Sequence, residues 1–213
     1  MLNKGQILSY LSKISLLPNI SFTELYSICD ASYHHEENSV SGEIILLASK
    51  TTEVASPLYW KSGVIRKVCM SPKAAETRSL MKLVDDSTSL AKQMSKLFNT
   101  EIRTRIFTDS RPLLESIGSS SQIEEKALRQ SVSFLKQALE EGEISRFSWI
   151  EGTEIVADVF TKQRSKRESL DEIVLENRFR HALSKDNLVM FENEEITIKN
   201  LATKEAKKSN SFG

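Results

Sequence analysis

The feature that most restricts the fold is a helix signature that opens at Ser71-Pro72 and runs almost to Asn99. Serine caps a helix N-terminus well, and proline suits the first helical position, where its missing N–H has no partner to lose. Leu80, Leu83, Val84, Ser87, Leu90, Ala91, Met94, Leu97 and Phe98 keep the spacing of three and four that gives one buried face. The texture before it is different. Three short apolar runs, Leu25–Cys29, Glu43–Ala48 and Leu58–Trp60, are separated by turn-like residues 38–42 and 50–52. Runs this short and closely spaced, with no crossover helix between them, pair as an antiparallel meander.

After the helix the pattern alternates. Ile102 to Thr108 reads as a fourth strand closed by Asp109; Ser110-Arg111-Pro112 opens a short helix that stops near Gly118. A second long helix runs from about Gln122 to Leu139, with Gly142 just past its end, where a left-handed residue commonly terminates a helix. Ile144 to Ile150 is the fifth strand and Glu154 to Thr161 a short helix. The order β-β-β-α-β-α-α-β-α predicts an α/β fold: a five-stranded mixed sheet, three strands antiparallel and the later ones parallel through right-handed crossovers, flanked by helices. Residues 1–23 read as a leader or linker, 24–163 as the domain, and 164–213 as a charged tail. Within that tail Ile173, Val174, Leu175 and Phe179 form one amphipathic helix, and the end is expected to be disordered.

Composition narrows the function classes. A 213-residue chain with 39% hydrophobic residues suffices for one soluble domain with a real core. Cys29 and Cys69 lie far apart without a CxxC pattern, which argues against a zinc site and a secreted disulfide framework. No signal peptide or membrane span is visible, so an intracellular, non-secreted protein is expected. Lys+Arg and Asp+Glu both number 29, so nucleic-acid binding requires a local basic patch rather than a whole-chain field. Neither GxxxxGK nor GxGxxG occurs, which removes the common nucleotide-binding loops. Trp60 and Trp149 read as core anchors, and His34-His35 as an exposed hairpin pair lacking a third metal ligand.

Four carboxylates occupy unusual places in this outline: Asp30 inside the first strand, Glu76 on the inner face of the long helix, Asp109 at the end of the fourth strand and Asp158 in the last short helix. An acid on a packed face is costly without a partner. If the first and fourth strands are neighbours, Asp30 and Asp109 converge, and the helix starts bring Glu76 and Asp158 to the same spot. Four oxygen ligands suit Mg²⁺ or Mn²⁺. Taken singly, each acid is better explained as a solvated charge or a helix cap; the set together is not.

From about Glu24 to Gln163 the chain resembles the RNase H domain of copia-type LTR retrotransposon Pol polyproteins. Cys29-Asp30-Ala31-Ser32 is similar to its first-strand motif, Ser41-Gly42 with the apolar run behind it to its second strand, and Tyr59-Trp60-Lys61-Ser62 to its third. Ala74-Ala75-Glu76-Thr77 resembles the helix motif carrying the second acid, and Phe107-Thr108-Asp109-Ser110 the strand end carrying the third. Glu143-Ile144 through Trp149-Ile150, followed by Val156-Ala157-Asp158-Val159-Phe160-Thr161-Lys162, resembles the closing block with the fourth. Any one tetrapeptide is weak; all of them in order are specific.

The resemblance implies an RNase H-like fold and cleavage of the RNA strand of RNA–DNA hybrids by two Mg²⁺ ions, or Mn²⁺ in their place, about 4 Å apart. On the family pattern Asp30 bridges both ions, Asp158 completes the water-activating site, and Glu76 and Asp109 hold the other. It also implies a reverse transcriptase domain of the same polyprotein as partner and a place in a cytoplasmic virus-like particle or the nucleus. Lys61, Arg66, Lys67 and Lys73, from a run free of acids, are the expected phosphate contacts, with Ser110 beside Asp109. One departure stands out: residues 143–163 contain no histidine, whereas many cellular RNases H carry one on the loop before the last acid. The alternative reading is a non-catalytic RNase H-fold module, domesticated or structural, that binds nucleic acid or a polymerase partner. All four acids being present favours the enzyme.

Overall fold

The computed structural model describes residues 23–34, 38–119, 126–162, 165, 167–180 and 190–192. The leader assigned to 1–23 and the end of the tail lie almost wholly outside the described residues. Among the described residues the sheet holds six strands in the order β3-β2-β1-β4-β5-β6. They are β1 (Thr23–Ser32), β2 (Val40–Ser49), β3 (Ala55–Val64), β4 (Thr104–Thr108), β5 (Arg146–Trp149) and β6 (Met190–Glu192). The first three pair antiparallel, β1 with β4 and β4 with β5 parallel, as the alternation of strands and helices requires. Beyond the five expected strands, β6 adds a short antiparallel edge to β5.

The long helix, α1 (Pro72–Phe98), has the caps its sequence predicts. Ala74 N donates to Ser71 Oγ at 3.1 Å, and Asn99 ends the helix in the left-handed conformation with φ 50°. Its stripe packs on one face of the sheet together with α2 (Arg111–Gly118) and α3 (Lys126–Glu140), around Leu25, Leu80, Leu83, Val84, Ile106, Leu113, Leu135 and Phe147. Two short 3-10 turns, Gly152–Glu154 and Val156–Phe160, and the helix α4 (Glu168–Glu176) cover the opposite face. There Tyr26, Ile28, Ile44, Leu46, Phe107, Val156, Ile173 and Phe179 form a second cluster. Strand side chains alternate between the two clusters because successive Cβ atoms point to opposite faces, so β1 sends Leu25 and Cys29 one way and Tyr26 and Ile28 the other.

Packing continues past residue 163. Phe179 is buried, with its ring 5.4 Å from Phe107 and 6.1 Å from Tyr26 in edge-on geometry. Ala55 N donates to Asn177 O at 2.8 Å, which ties the segment after α4 to β3. Trp60 corrects the core expectation: it is 59% exposed, because β3 lies at the edge of the sheet, with β2 as its one neighbour among the described strands. Trp149 is half-buried, its indole donating to Asp109 O at 3.1 Å under the Arg111 guanidinium, 4.0 Å from the ring centroid. His34 is exposed, as expected.

Candidate active site

The pairing of β1 with β4 runs from Leu25 opposite Thr104 to Ile28 opposite Phe107, so Asp30 and Asp109 leave the sheet side by side at the same end. The start of α1 is fastened there as well. Ser79 Oγ donates to the carbonyl of Asp30 at 3.1 Å and lies 2.7 Å from Ser41 Oγ, which locks the first turns of the helix against β1 and β2. Glu76, one turn earlier, is thereby aimed at the strand ends. One oxygen from each of Asp30, Glu76 and Asp109 falls within 4.8 Å of the other two.

Asp158 arrives by a different route. The 3-10 turn Val156–Phe160 lies directly on Gly42, where an added Cβ would stand 2.7 Å from Phe160 Cβ, 2.8 Å from Ala157 O and 2.9 Å from Thr161 Cγ2. Gly42 is the ladder partner of Asp30, so this close approach brings the turn to the acid cluster. Ser62 Oγ, donating to Phe160 O at 2.6 Å, holds it from the edge strand. The Thr161 hydroxyl donates to Asp30 Oδ2, and Lys162 Nζ stands 2.6 Å from Asp158 Oδ1 and 3.7 Å from Asp30 Oδ2. Asp30 is thus common to both halves: Glu76 and Asp109 on one side, Asp158 with Lys162 on the other.

The electrostatics are those of acids gathered faster than they are neutralised. Burial, then the charges of Asp30 and Asp109, push the Glu76 carboxyl up to about 9, against a weaker pull from Lys162. Its Oε2 is buried without a hydrogen-bond partner. Burial and Asp30 raise Asp109 to about 6. Burial also raises Asp158, while its hydrogen bond from Lys162 works in the opposite direction. A buried, unpartnered Glu76 oxygen among three other acids, with the Lys162 ammonium beside them, is a donor set of hard oxygens that fits a divalent metal of the Mg²⁺ class.

The four acids expected from the sequence therefore come together. The expected basic contacts separate. Lys61, Arg66 and Lys67 line a cavity of ≈ 630 Å³ between β3 and α1, joined by Arg78 and Lys82, by the acids Glu43 and Asp85, and by Ser41, the residue before Gly42. Lys73 is elsewhere: its ammonium donates to Ser116 Oγ at 2.7 Å and links α1 to α2. Ser110 heads α2 next to Asp109, its N–H donating to Thr108 Oγ1 at 3.2 Å. Ser79, Thr161 and Lys162 are site residues that sequence reasoning did not single out. Lys162 had a signal, since a lysine four residues after Asp158 on a short helix meets it on one face; Ser79 and Thr161 had none.

No sequence-family model matches the chain, and no curated protein matches it by sequence. Solved structures do. The chain is similar to LC11-RNase H1, isolated from compost by a metagenomic approach, at 12% identity and a TM-score of 0.50, over 66% of this chain and 94% of that one. The crystal structure of LC11-RNase H1 in complex with an RNA/DNA hybrid aligns at 12% identity and 0.49, over 69% and 99%. RNase H1 from the halophilic archaeon Halobacterium salinarum NRC-1 aligns at 12% and 0.48, over 70% and 98%. At such identities the likeness is one of fold, and it agrees with the strand order and the helices on both faces: the chain has an RNase H-like fold.

Proposed function

We propose that the chain is a ribonuclease H that cleaves the RNA strand of RNA–DNA hybrids with two divalent ions, Mg²⁺ or Mn²⁺. The observation that carries the reading is the convergence of Glu76, Asp109 and Asp158, from separate parts of the chain, on Asp30, with a buried Glu76 oxygen left unpartnered. Asp30 would be the ligand shared by the two ions, with Glu76 and Asp109 available to hold one and Asp158 the other. Bound ions of this kind supply an activated water and stabilise the departing 3′ oxygen. The chain's own part is to fix the oxygens: Ser79 anchors the Asp30 backbone, Thr161 orients its carboxylate, and the Trp149 indole holds the Asp109 carbonyl. Burial and the neighbouring acids hold the Glu76 carboxyl up to about 9, so it would have to lose its proton to serve as a metal ligand.

The basic cavity of Lys61, Arg66 and Lys67 supports phosphate contacts beside the acids. Hybrid recognition rests on those contacts and on 2′-hydroxyls in the minor groove. LC11-RNase H1, which shares the fold, is known in complex with such a hybrid. The motif resemblance adds a retrotransposon setting, with a reverse transcriptase domain of the same polyprotein as partner and an intracellular site of action. Among the described residues no helix is long and apolar enough to cross a membrane.

The test is cleavage of an end-labelled RNA–DNA hybrid in Mg²⁺ or Mn²⁺, with duplex RNA and Asp30→Asn as controls. Hybrid-specific cutting that disappears in Asp30→Asn is the expected result. An Asp30→Asn protein cutting at the wild-type rate removes the proposed site, and a folded wild-type protein that binds hybrid without cutting favours the non-catalytic module.

A further inference from the structure

We infer that the Lys162 ammonium is a built-in counter-ion that occupies the cation position between Asp30 and Asp158 in the metal-free protein and must leave when a divalent ion binds there. The inference rests on the metal-site reading above and concerns a residue to which that reading gives no part.

The geometry is specific. Lys162 Nζ is 2.6 Å from Asp158 Oδ1 and 3.7 Å from Asp30 Oδ2, so one ammonium spans the two carboxylates. A Mg²⁺ ion coordinates oxygen at roughly 2.0–2.1 Å in an octahedral shell. An ion sharing those two oxygens needs the space that Nζ fills, and two cations do not share it. The Asp30–Glu76–Asp109 side is different: those oxygens lie within 4.8 Å of one another, and no lysine or arginine ion pair to Glu76 or Asp109 occurs among the described residues. The two halves of the site are therefore unequal, one carrying its own cation and the other lacking one.

Lys162 is also able to move. It follows the 3-10 turn, and its side chain is 47% exposed although Asp30 is 2% exposed. The long stem can swing the charge into solvent without disturbing the turn, which Ser62 and the Gly42 contact hold independently. A divalent ion entering between Asp30 and Asp158 then competes with an ion pair of the partly exposed kind, worth a factor of up to roughly 5 in an equilibrium constant. Once displaced, the ammonium remains one side-chain length from the acids and is available to a phosphate oxygen of a bound strand.

Mg²⁺ titrations by isothermal calorimetry on the wild-type chain, Lys162→Gln and Asp30→Asn test this, with ¹⁵N-lysine NMR following the Lys162 Nζ resonance, assigned by its loss in Lys162→Gln. The expected result is Mg²⁺ affinity roughly 2- to 5-fold tighter in Lys162→Gln, and a wild-type Nζ resonance that moves to the position of a solvated lysine as Mg²⁺ is added. The spectroscopic readout separates occupancy from a general effect of removing a nearby charge. Mg²⁺ binding that is lost in Asp30→Asn but unchanged or weaker in Lys162→Gln, or an Nζ resonance that Mg²⁺ leaves in place, overturns the counter-ion role while the metal site stands. Absence of any Mg²⁺ binding sensitive to Asp30→Asn overturns both.

Discussion

Gly42 faces Asp30 across the β1–β2 ladder, and the backbone of the turn that carries Asp158 rests on the space where a side chain would be. The fourth acid therefore reaches the other three through the absence of a Cβ. Gly42→Ala puts a methyl 2.7 Å from Phe160 Cβ and 2.8 Å from Ala157 O, neither of which is a flexible chain end. The expected outcome is destabilisation by about 1–3 kcal/mol in urea titration, with a larger proportional loss of hybrid cleavage as Asp158 moves away. Normal cleavage in Gly42→Ala would mean that the turn adapts and that its position does not limit the reaction.

The acid cluster makes stability of the metal-free chain depend on pH. On folding, the Glu76 carboxyl goes from 4.5 to about 9 and Asp109 from 3.8 to about 6, so the folded chain holds these protons more tightly than the unfolded one. Stability is then greatest below the lower values and falls as pH rises through the window from about 4 to about 9. Lys162 has its pKa raised from 10.5: burial opposes its charge, but the hydrogen bond to Asp158 and the charge of Asp30 outweigh it, and the effect lies above this window. Thermal unfolding in EDTA between pH 5 and 9 is expected to show a falling Tm, and saturating Mg²⁺ to remove most of the slope.

Glu76→Gln isolates the main contributor. The amide keeps the volume, can donate to Asp30 or Asp109, and is neutral without the proton that Glu76, raised to about 9 by burial and those two acids, has to take up on folding. In EDTA at pH 8 the variant is expected to melt higher than the wild type, while losing cleavage and most Mg²⁺-induced stabilisation. A lower Tm for Glu76→Gln at that pH would show that the carboxylate is already satisfied without metal.

Replacing Lys61, Arg66 and Lys67 together with glutamine discharges the cavity between β3 and α1. If each meets one phosphate, the slope of log affinity for hybrid against log salt becomes shallower by about 0.9 per residue, with affinity falling at low salt. Lys73→Gln is expected to leave that slope nearly unchanged, because Lys73 is engaged with Ser116. Fluorescence anisotropy with Ca²⁺ replacing Mg²⁺ measures both.

Phe179→Ala tests how far the folded body extends. The ring sits edge-on against Phe107 and Tyr26 with 2% of its surface exposed, so its loss is expected to cost about 3–5 kcal/mol. Chemical denaturation of a variant near wild-type stability would show that the segment after Asn177 is dispensable to the core.

Most of the fold was legible because it follows from local patterns. The Ser71-Pro72 cap, the stripe from Leu80 to Met94 and the terminating Asn99 specify α1 without reference to the rest of the chain, and short apolar runs with turn residues between them specify a meander. The four acids were legible because a carboxylate on an otherwise apolar face is anomalous wherever the strands happen to lie. The fate of Trp60 was not, since alternation marks a strand but does not say whether it lies at an edge. Nor was the separation of Lys73 from Lys61, Arg66 and Lys67: the partner that claims Lys73, Ser116, is distant in sequence. The amino-acid order by itself determined which segments are helices and strands and which acids require a partner, because capping, periodicity and desolvation act over a few residues. Only the tertiary structure decided that Gly42 admits the Asp158 turn to Asp30 and that Lys162 stands between those two acids, because contacts between elements depend on packing that no local pattern encodes.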